Sequence, residues 1–244
     1  MQKVYLITGA SSDVGIAFIR RVYKQGDIVI AQGAGDIGAL QELANESQGA
    51  IHAYDVDLTS TDALDAFVKD IQANYPTPTH FVHLPALRVI NTKFKNFDEA
   101  RFALDMNVQV NSAVRLCKTF VPQMAKTRYG RVLFMLTSYL VGVPPKNTAA
   151  YLMAKNAIAA LAKSLAIDYA SFGVTVNCVM PSMMETKFLA DTSNLIVEAS
   201  AADNPMKRNA RVEDVIPAME FLISDEAGFI TGVTLPITGG SAIL

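Results

Sequence analysis

The chain is predicted to fold as a single doubly wound α/β domain, one parallel sheet of about seven strands with helices on both faces. Three observations predict this. Short β-rich runs alternate with longer amphipathic stretches from one end to the other. Most of the runs are apolar almost throughout, as strands buried on both faces are. The length, 244 residues, suits one such sheet with one large interior.

KVYLIT opens the series and is followed by a helical stretch to about Gln25. DIVIAQ precedes a helix near Ile37 to Glu46, and AIHAYDV one near Thr61 to Asn74. THFVHL leads into a long helical stretch from about Asp98 to Ala125, and GRVLFMLTS into a helix from about Ala149 to Ser171. GVTVNCVM precedes a helix near Val212 to Ser224, and VTLPIT closes the sheet. Repeated βαβ units of this kind hold ligands beyond the carboxyl ends of their strands. Pro181 to Lys207 is the one long, weakly patterned stretch, and its length inside a compact domain marks a substrate lid at about 182–207.

Composition narrows the possible partners. A formal net charge of -2 with dispersed charges leaves no basic stripe for nucleic acid and no cluster for a membrane surface. Hydrophobic residues make up 51% of the chain, yet no run approaches the roughly 20 apolar residues of a spanning helix. Strand-like spacing from about Lys3 leaves no room for a signal peptide, so a cytoplasmic protein is expected. Cys117 and Cys178 fall in a helical and a strand-like pattern and read as buried thiols. His80 and His83 lie i, i+3 on a strand, which sends their side chains to opposite faces and points to hydrogen-bonded core histidines. No metal site is expected.

Two constellations carry chemistry. TGASSDVG follows the first strand and opens the first helix, where glycines serve a tight turn, close approach to phosphate and close helix packing. Tyr151 and Lys155 in YLMAK are four apart, on one face of a predicted helix. A pair with that spacing arises by chance about 0.4 times in such a chain, so context decides its meaning. Ser138 stands thirteen residues before Tyr151, at the end of a predicted strand. Asn107, a mediocre helix former in the middle of LDMNVQVN, is a candidate for a local role.

On these residues the chain resembles the short-chain dehydrogenase/reductase family over essentially its whole length. The family's T-G-x-x-x-G-x-G falls on Thr8 to Gly15, its P-G-x-x-x-T on Pro181 to Thr186, its P-x-x-R on Pro205 to Arg208 and its terminal pattern on SDEAGFITG. The branch it looks most like is that of the 3-oxoacyl-acyl-carrier-protein reductases. The resemblance implies Asn107, Ser138, Tyr151 and Lys155 as the catalytic set. It implies a nicotinamide cofactor held by Gly9, Ser11, Ser12, Asp13, Val14 and Gly15, by Gly33, Asp57 and Leu58, and by Leu84, Pro85 and Ala86. Pro181, Met184 and Thr186, with Tyr151 and Lys155, complete that set. It also implies a homotetramer or homodimer joined through the helices at 98–125 and 149–171.

The chemistry can be rebuilt from the residues. A carbonyl that receives hydride develops negative charge on oxygen and needs a proton donor and preorganised hydrogen bonds. Tyr151 is the expected donor. Bringing a phenol from about 10 to about 7 takes roughly 4 kcal/mol of preferential phenolate stabilisation, which Lys155 one turn away is expected to help supply. Ser138 is expected to hold the carbonyl oxygen, and Asn107, as the resemblance implies, a relay water.

Departures from the family pattern raise specific questions. Asp13 replaces the middle glycine of the loop, so its carboxylate either repels a phosphate or caps its own helix; the cap is the expectation. HLPA at 83–86 stands in place of N-N-A-G, and Pro85 cannot donate a backbone hydrogen bond. Gly33 and Ala34 supply neither acid nor base after the second strand, which predicts NADP(H) over NAD(H) through the missing repulsion. Ser182 and Thr238 are smaller departures from the usual Gly and Asp. Leu140, Val141 and Val143, with Met183, Met184 and Phe188, predict an apolar pocket for a small-molecule carbonyl or acyl substrate. Arg128 matches one basic position for an acidic carrier protein, whereas Phe172 stands where another is expected. The rival reading is a reductase-like scaffold that has lost ordinary cofactor use and acts as a binding protein.

Overall fold

A computed structural model of the chain describes residues 2–242. Its strands are β1 (Val4–Thr8), β2 (Ile28–Gly33), β3 (Ile51–Asp55), β4 (His80–His83), β5 (Gly130–Met135), β6 (Val174–Pro181) and β7 (Thr234–Ile237). All pair in parallel, in the order β3-β2-β1-β4-β5-β6-β7. The helices are α1 (Asp13–Val22), α2 (Gly38–Glu46), α3 (Thr61–Asn74), α4 (Glu99–Met106), α5 (Ser112–Lys126), α6 (Ala149–Tyr169), α7 (Asn194–Asp203) and α8 (Val212–Leu222). The strand order reverses between β1 and β4, where doubly wound sheets open a ligand crevice.

The strand pleat sorts side chains into two cores. Tyr5, Ile7, Val82 and Leu133 join residues of α1, α2 and α8 on one face. Leu6, Phe81, Phe134 and Val176 join α3, α5 and α6 on the other. On α6 the buried stripe Ala154, Ile158, Ala162 and Ala166 recurs every four residues, and its small side chains bring the helix down onto β6. Burying Lys155 beside that stripe, at 3% exposure, is unusual enough to require a function.

Two segments depart from the sequence expectation. The stretch from Asp98 to Ala125 is not one helix, because a π-helical turn at Asn107–Asn111 separates α4 from α5. His83 Nε2 lies 2.9 Å from the Gln109 carbonyl oxygen, a side-chain insertion of the kind that breaks a regular helical ladder. The lid is not irregular throughout: it holds a 3-10 turn at Lys187–Leu189 and helix α7. Helix α7 has no buried residue and therefore no periodicity to read.

Among the described residues, no helix is long and apolar enough to cross a membrane. Among the same residues, no three His, Cys, Asp or Glu side chains are grouped to hold a metal. Cys117 and Cys178 are free and buried.

Candidate active site

A cavity of about 640 Å³ opens above the carboxyl ends of the central strands, between the loop after β1 and the lid. Gly9, Ser11, Ser12, Asp13 and Val14 line one wall, and Asp57 and Leu58 extend it. Leu84, Pro85 and Ala86 form the floor, Pro181, Met184 and Thr186 the lid side, and Tyr151 and Lys155 the far end. The structure thus brings together all but four of the site residues expected from sequence. Gly15, Gly33, Asn107 and Ser138 are not on the wall.

The glycines act through packing. Gly9 has φ +68°, and a Cβ there would lie 2.8 Å from Pro85 N, so the β1 loop and the HLPA segment meet backbone to backbone. A Cβ on Gly15 would lie 2.5 Å from the Ala10 carbonyl oxygen, and one on Gly33 2.7 Å from Ser11 Oγ. Both glycines set the shape of the loop from behind. Gln32, which sequence reasoning missed, ties that loop down: its carbonyl oxygen accepts from Gly9 N–H at 3.0 Å and its amide donates to Val56 O at 2.7 Å. A polar residue within the apolar run DIVIAQ was the available signal.

Asp13 does not cap its helix. Ser12 is the cap, its Oγ accepting from Gly15 N–H at 3.1 Å, and Asp13 is the first residue inside. The Asp13 carboxylate reaches the lid instead, where Oδ2 accepts from Lys187 N–H at 2.7 Å.

Both histidines are hydrogen-bonded core residues. His80 Nδ1 lies 2.8 Å from Thr79 Oγ1. His83 spans two elements of the site, with Nδ1 2.7 Å from Thr8 Oγ1 and Nε2 2.9 Å from Gln109 O. A carbonyl only accepts, so Nε2 carries the proton and Nδ1 accepts from the Thr8 hydroxyl. Burial pushes the His83 imidazole down to about 3, which keeps it neutral in this role.

At the reactive end, Lys155 Nζ donates to the Met135 carbonyl oxygen at 2.9 Å and lies 5.7 Å from the centroid of the Tyr151 ring. Burial lowers Lys155 to about 8, opposed by Cys178 and Asp105. Burial raises the Tyr151 phenol, the Thr137 hydroxyl opposes the rise, and Tyr139 and Asp105 add to it. Lys155 is not among the groups that shift the Tyr151 phenol in the free chain, so the lowering expected from it is not seen here.

Thr137, not Ser138, faces the cavity. Ser138 is buried and begins a 3-10 turn at Ser138–Leu140, while Thr137 and Tyr139 on either side reach the wall. Asn107 stands behind the wall at the start of the π turn, where its side-chain oxygen accepts from Asn111 Nδ2 at 2.7 Å.

The outer part of the cavity is mixed in character. Met183, Met184 and Phe188 line it as expected, but Leu140, Val141 and Val143 do not. Val143 is fully exposed, and Leu140 and Val141 pack against the core. Tyr139, Thr148, Asn91 and Arg88 take their place. Arg128, the expected carrier contact, donates to Ser171 O at 2.9 Å.

Comparison with known proteins agrees with this geometry. Residues 9–242 match the family profile described as Enoyl-(Acyl carrier protein) reductase. The chain is 29% identical over 242 residues to a 3-oxoacyl-[acyl-carrier-protein] reductase of Pseudomonas aeruginosa, covering 98% of this chain and 96% of that protein. It superposes on an NAD+-bound xylitol dehydrogenase with a TM-score of 0.87 at 25% identity, covering 98% of each chain. It superposes on the Thermoplasma acidophilum aldohexose dehydrogenase with a TM-score of 0.84 at 25% identity, covering 98% of this chain and 93% of that one. Fold, cavity and comparison converge: the chain belongs to the short-chain dehydrogenase/reductase family of NAD(P)-dependent oxidoreductases.

Proposed function

We propose that this enzyme reduces a ketone, a 3-oxoacyl group or another carbonyl with an apolar body, or oxidises the matching secondary alcohol, with Tyr151 as proton donor and acceptor. The observation that carries this reading is Tyr151 on the cavity wall with the ammonium of buried Lys155 5.7 Å from its ring. The names of the curated relatives, 3-oxoacyl reductases, an acetoacetyl-CoA reductase and a hydroxycyclohexanecarboxylate dehydrogenase, describe the same chemistry. The departures that favoured a non-catalytic scaffold, Asp13 and HLPA, both have structural partners in the folded chain.

The cradle fits a dinucleotide. Gly9 has no space for a Cβ, and the start of α1 lies on the cavity wall at Asp13 and Val14, where a helix N-terminus suits a pyrophosphate. A nicotinamide cofactor held there supplies the hydride. Residues after β2 meet the adenosine ribose in this fold, and here Ala34 and Asp36, with Asp57 after β3, line the cavity. The cationic residues on its wall are Arg88, Lys155 and Lys187, all outside that part. A 2′-phosphate bound at that end would meet carboxylates and no opposing cation. With acids and no cation at that end of the wall, NAD(H) is favoured over NADP(H), where the sequence alone points weakly to NADP(H).

Lys155, charged up to about pH 8, stabilises negative charge as Tyr151 gives up its proton. Thr137 holds the carbonyl oxygen in place of Ser138, and Asn107 anchors a relay water that serves Lys155. Thr137→Val is expected to lower kcat/KM for ketone reduction by about 10²-fold, as loss of an oxyanion donor does, and Ser138→Ala by less than about fivefold. Steady-state assays on a ketone panel that includes 3-oxoacyl thioesters read both, and the opposite ranking would return the role to Ser138.

The protein works in the cytoplasm as a homodimer or homotetramer. Leu104, Val114, Met153 and Ile167 leave 41–81% of their surface exposed on α4, α5 and α6, which supports those helices as the contact.

A further inference from the structure

Asp13 is an acid in a loop built for an anion, and its partner lies 174 residues away. That partner, Lys187 N–H, is the first amide of the 3-10 turn Lys187–Leu189. Such an amide requires an acceptor, ordinarily the side chain of the residue before it. Thr186 occupies that position with extended backbone, φ -140° and ψ 169°, and makes no capping bond. Asp13 takes its place from another element, which leaves the Thr186 hydroxyl on the cavity wall uncommitted. An ion pair fastens the same segment further on, between Asp191 of the lid and Arg88 of the β4–α4 connection.

We propose that Asp13 is a positioning residue: it fastens the lid to the cofactor loop and caps the lid turn, so that Thr186 is held ready for the nucleotide. The value of this to the reaction rests on the cofactor reading above, but the bond itself belongs to the free chain. It also explains how a carboxylate is tolerated at a glycine position. The charge is directed at a backbone N–H rather than left facing a phosphate.

Three proteins test this: wild type, Asp13→Asn, which keeps an acceptor and drops the charge, and Asp13→Gly, which drops both. Hydrogen exchange of the Lys187 amide, measured without nucleotide, is expected to quicken by about tenfold or more in Asp13→Gly and by less than about threefold in Asp13→Asn. Stopped-flow release of NADH is expected to quicken several-fold in Asp13→Gly. Equal Lys187 protection in all three proteins would overturn the proposal. So would slower NADH release in both variants, since that marks Asp13 as a charge repeller only. A chain that binds no nucleotide defeats the functional reading while leaving the exchange result decisive for Asp13. Matching thermal midpoints confirm that the variants fold.

Discussion

Tyr151→Phe is expected to lower kcat/KM for ketone reduction by about 10²–10⁴-fold while changing NADH affinity by less than about threefold. The substitution removes one hydroxyl and keeps the ring. Tyr151 sits between Tyr139, whose ring centroid lies 6.5 Å away, and Lys155 at 5.7 Å, so packing is retained. Burial holds the phenol well above its usual value, which favours the protonated form that a proton donor needs. Lys155 is the compensating element, because its ammonium stabilises charge in the transition state without first stripping the proton. Steady-state kinetics beside a nucleotide titration separate the two effects. Equal background turnover in both proteins would leave the chain as a scaffold.

His83→Leu is the second large effect. It strands the Thr8 hydroxyl and the Gln109 carbonyl, two buried groups that His83 now joins at 2.7 and 2.9 Å. Each stranded group costs about 1–3 kcal/mol, so a loss of about 2–6 kcal/mol in unfolding free energy is expected. The same site gives a pH signature. Burial depresses the folded-state value to about 3, below the 6.5 of the unfolded chain, so the unfolded state binds the extra proton. Stability is full above the unfolded value and is lost as pH falls from about 6.5 toward 3. In urea titrations between pH 4 and 6, His83→Leu should therefore lose stability less steeply than wild type, by up to about 1.4 kcal/mol per pH unit. A change under about 0.5 kcal/mol, or an unaltered slope, would remove His83 from this role.

The sheet and most of the cavity wall were legible because strand, loop and helix follow one another locally, and the β1 loop, Tyr151 and Lys155 sit at fixed places in that order. What escaped the sequence depends on distant pairing or on where the pleat ends. Ser138 lies beyond the end of β5 at Met135, in a 3-10 turn, where strand alternation no longer decides which side chain reaches the cavity. Asp13 and Lys187 meet across 174 residues, and no local pattern announces it. The π turn coincides with a hydrogen bond from His83 of β4 to its Gln109 carbonyl, a pairing across 26 residues. The choice between NADP(H) and NAD(H) depends on side chains after β2 that no local pattern orients, such as Asp36 on the cavity wall.

Paired fluorescence titrations of the wild-type protein with NADH and NADPH decide whether this cavity is a working nicotinamide site. Saturable binding of NADH, at least about tenfold tighter than NADPH, or about 1.4 kcal/mol, is the predicted result. Binding of neither nucleotide would show that the cavity is no nicotinamide site, and tighter binding of NADPH would show that its ribose end accepts a 2′-phosphate.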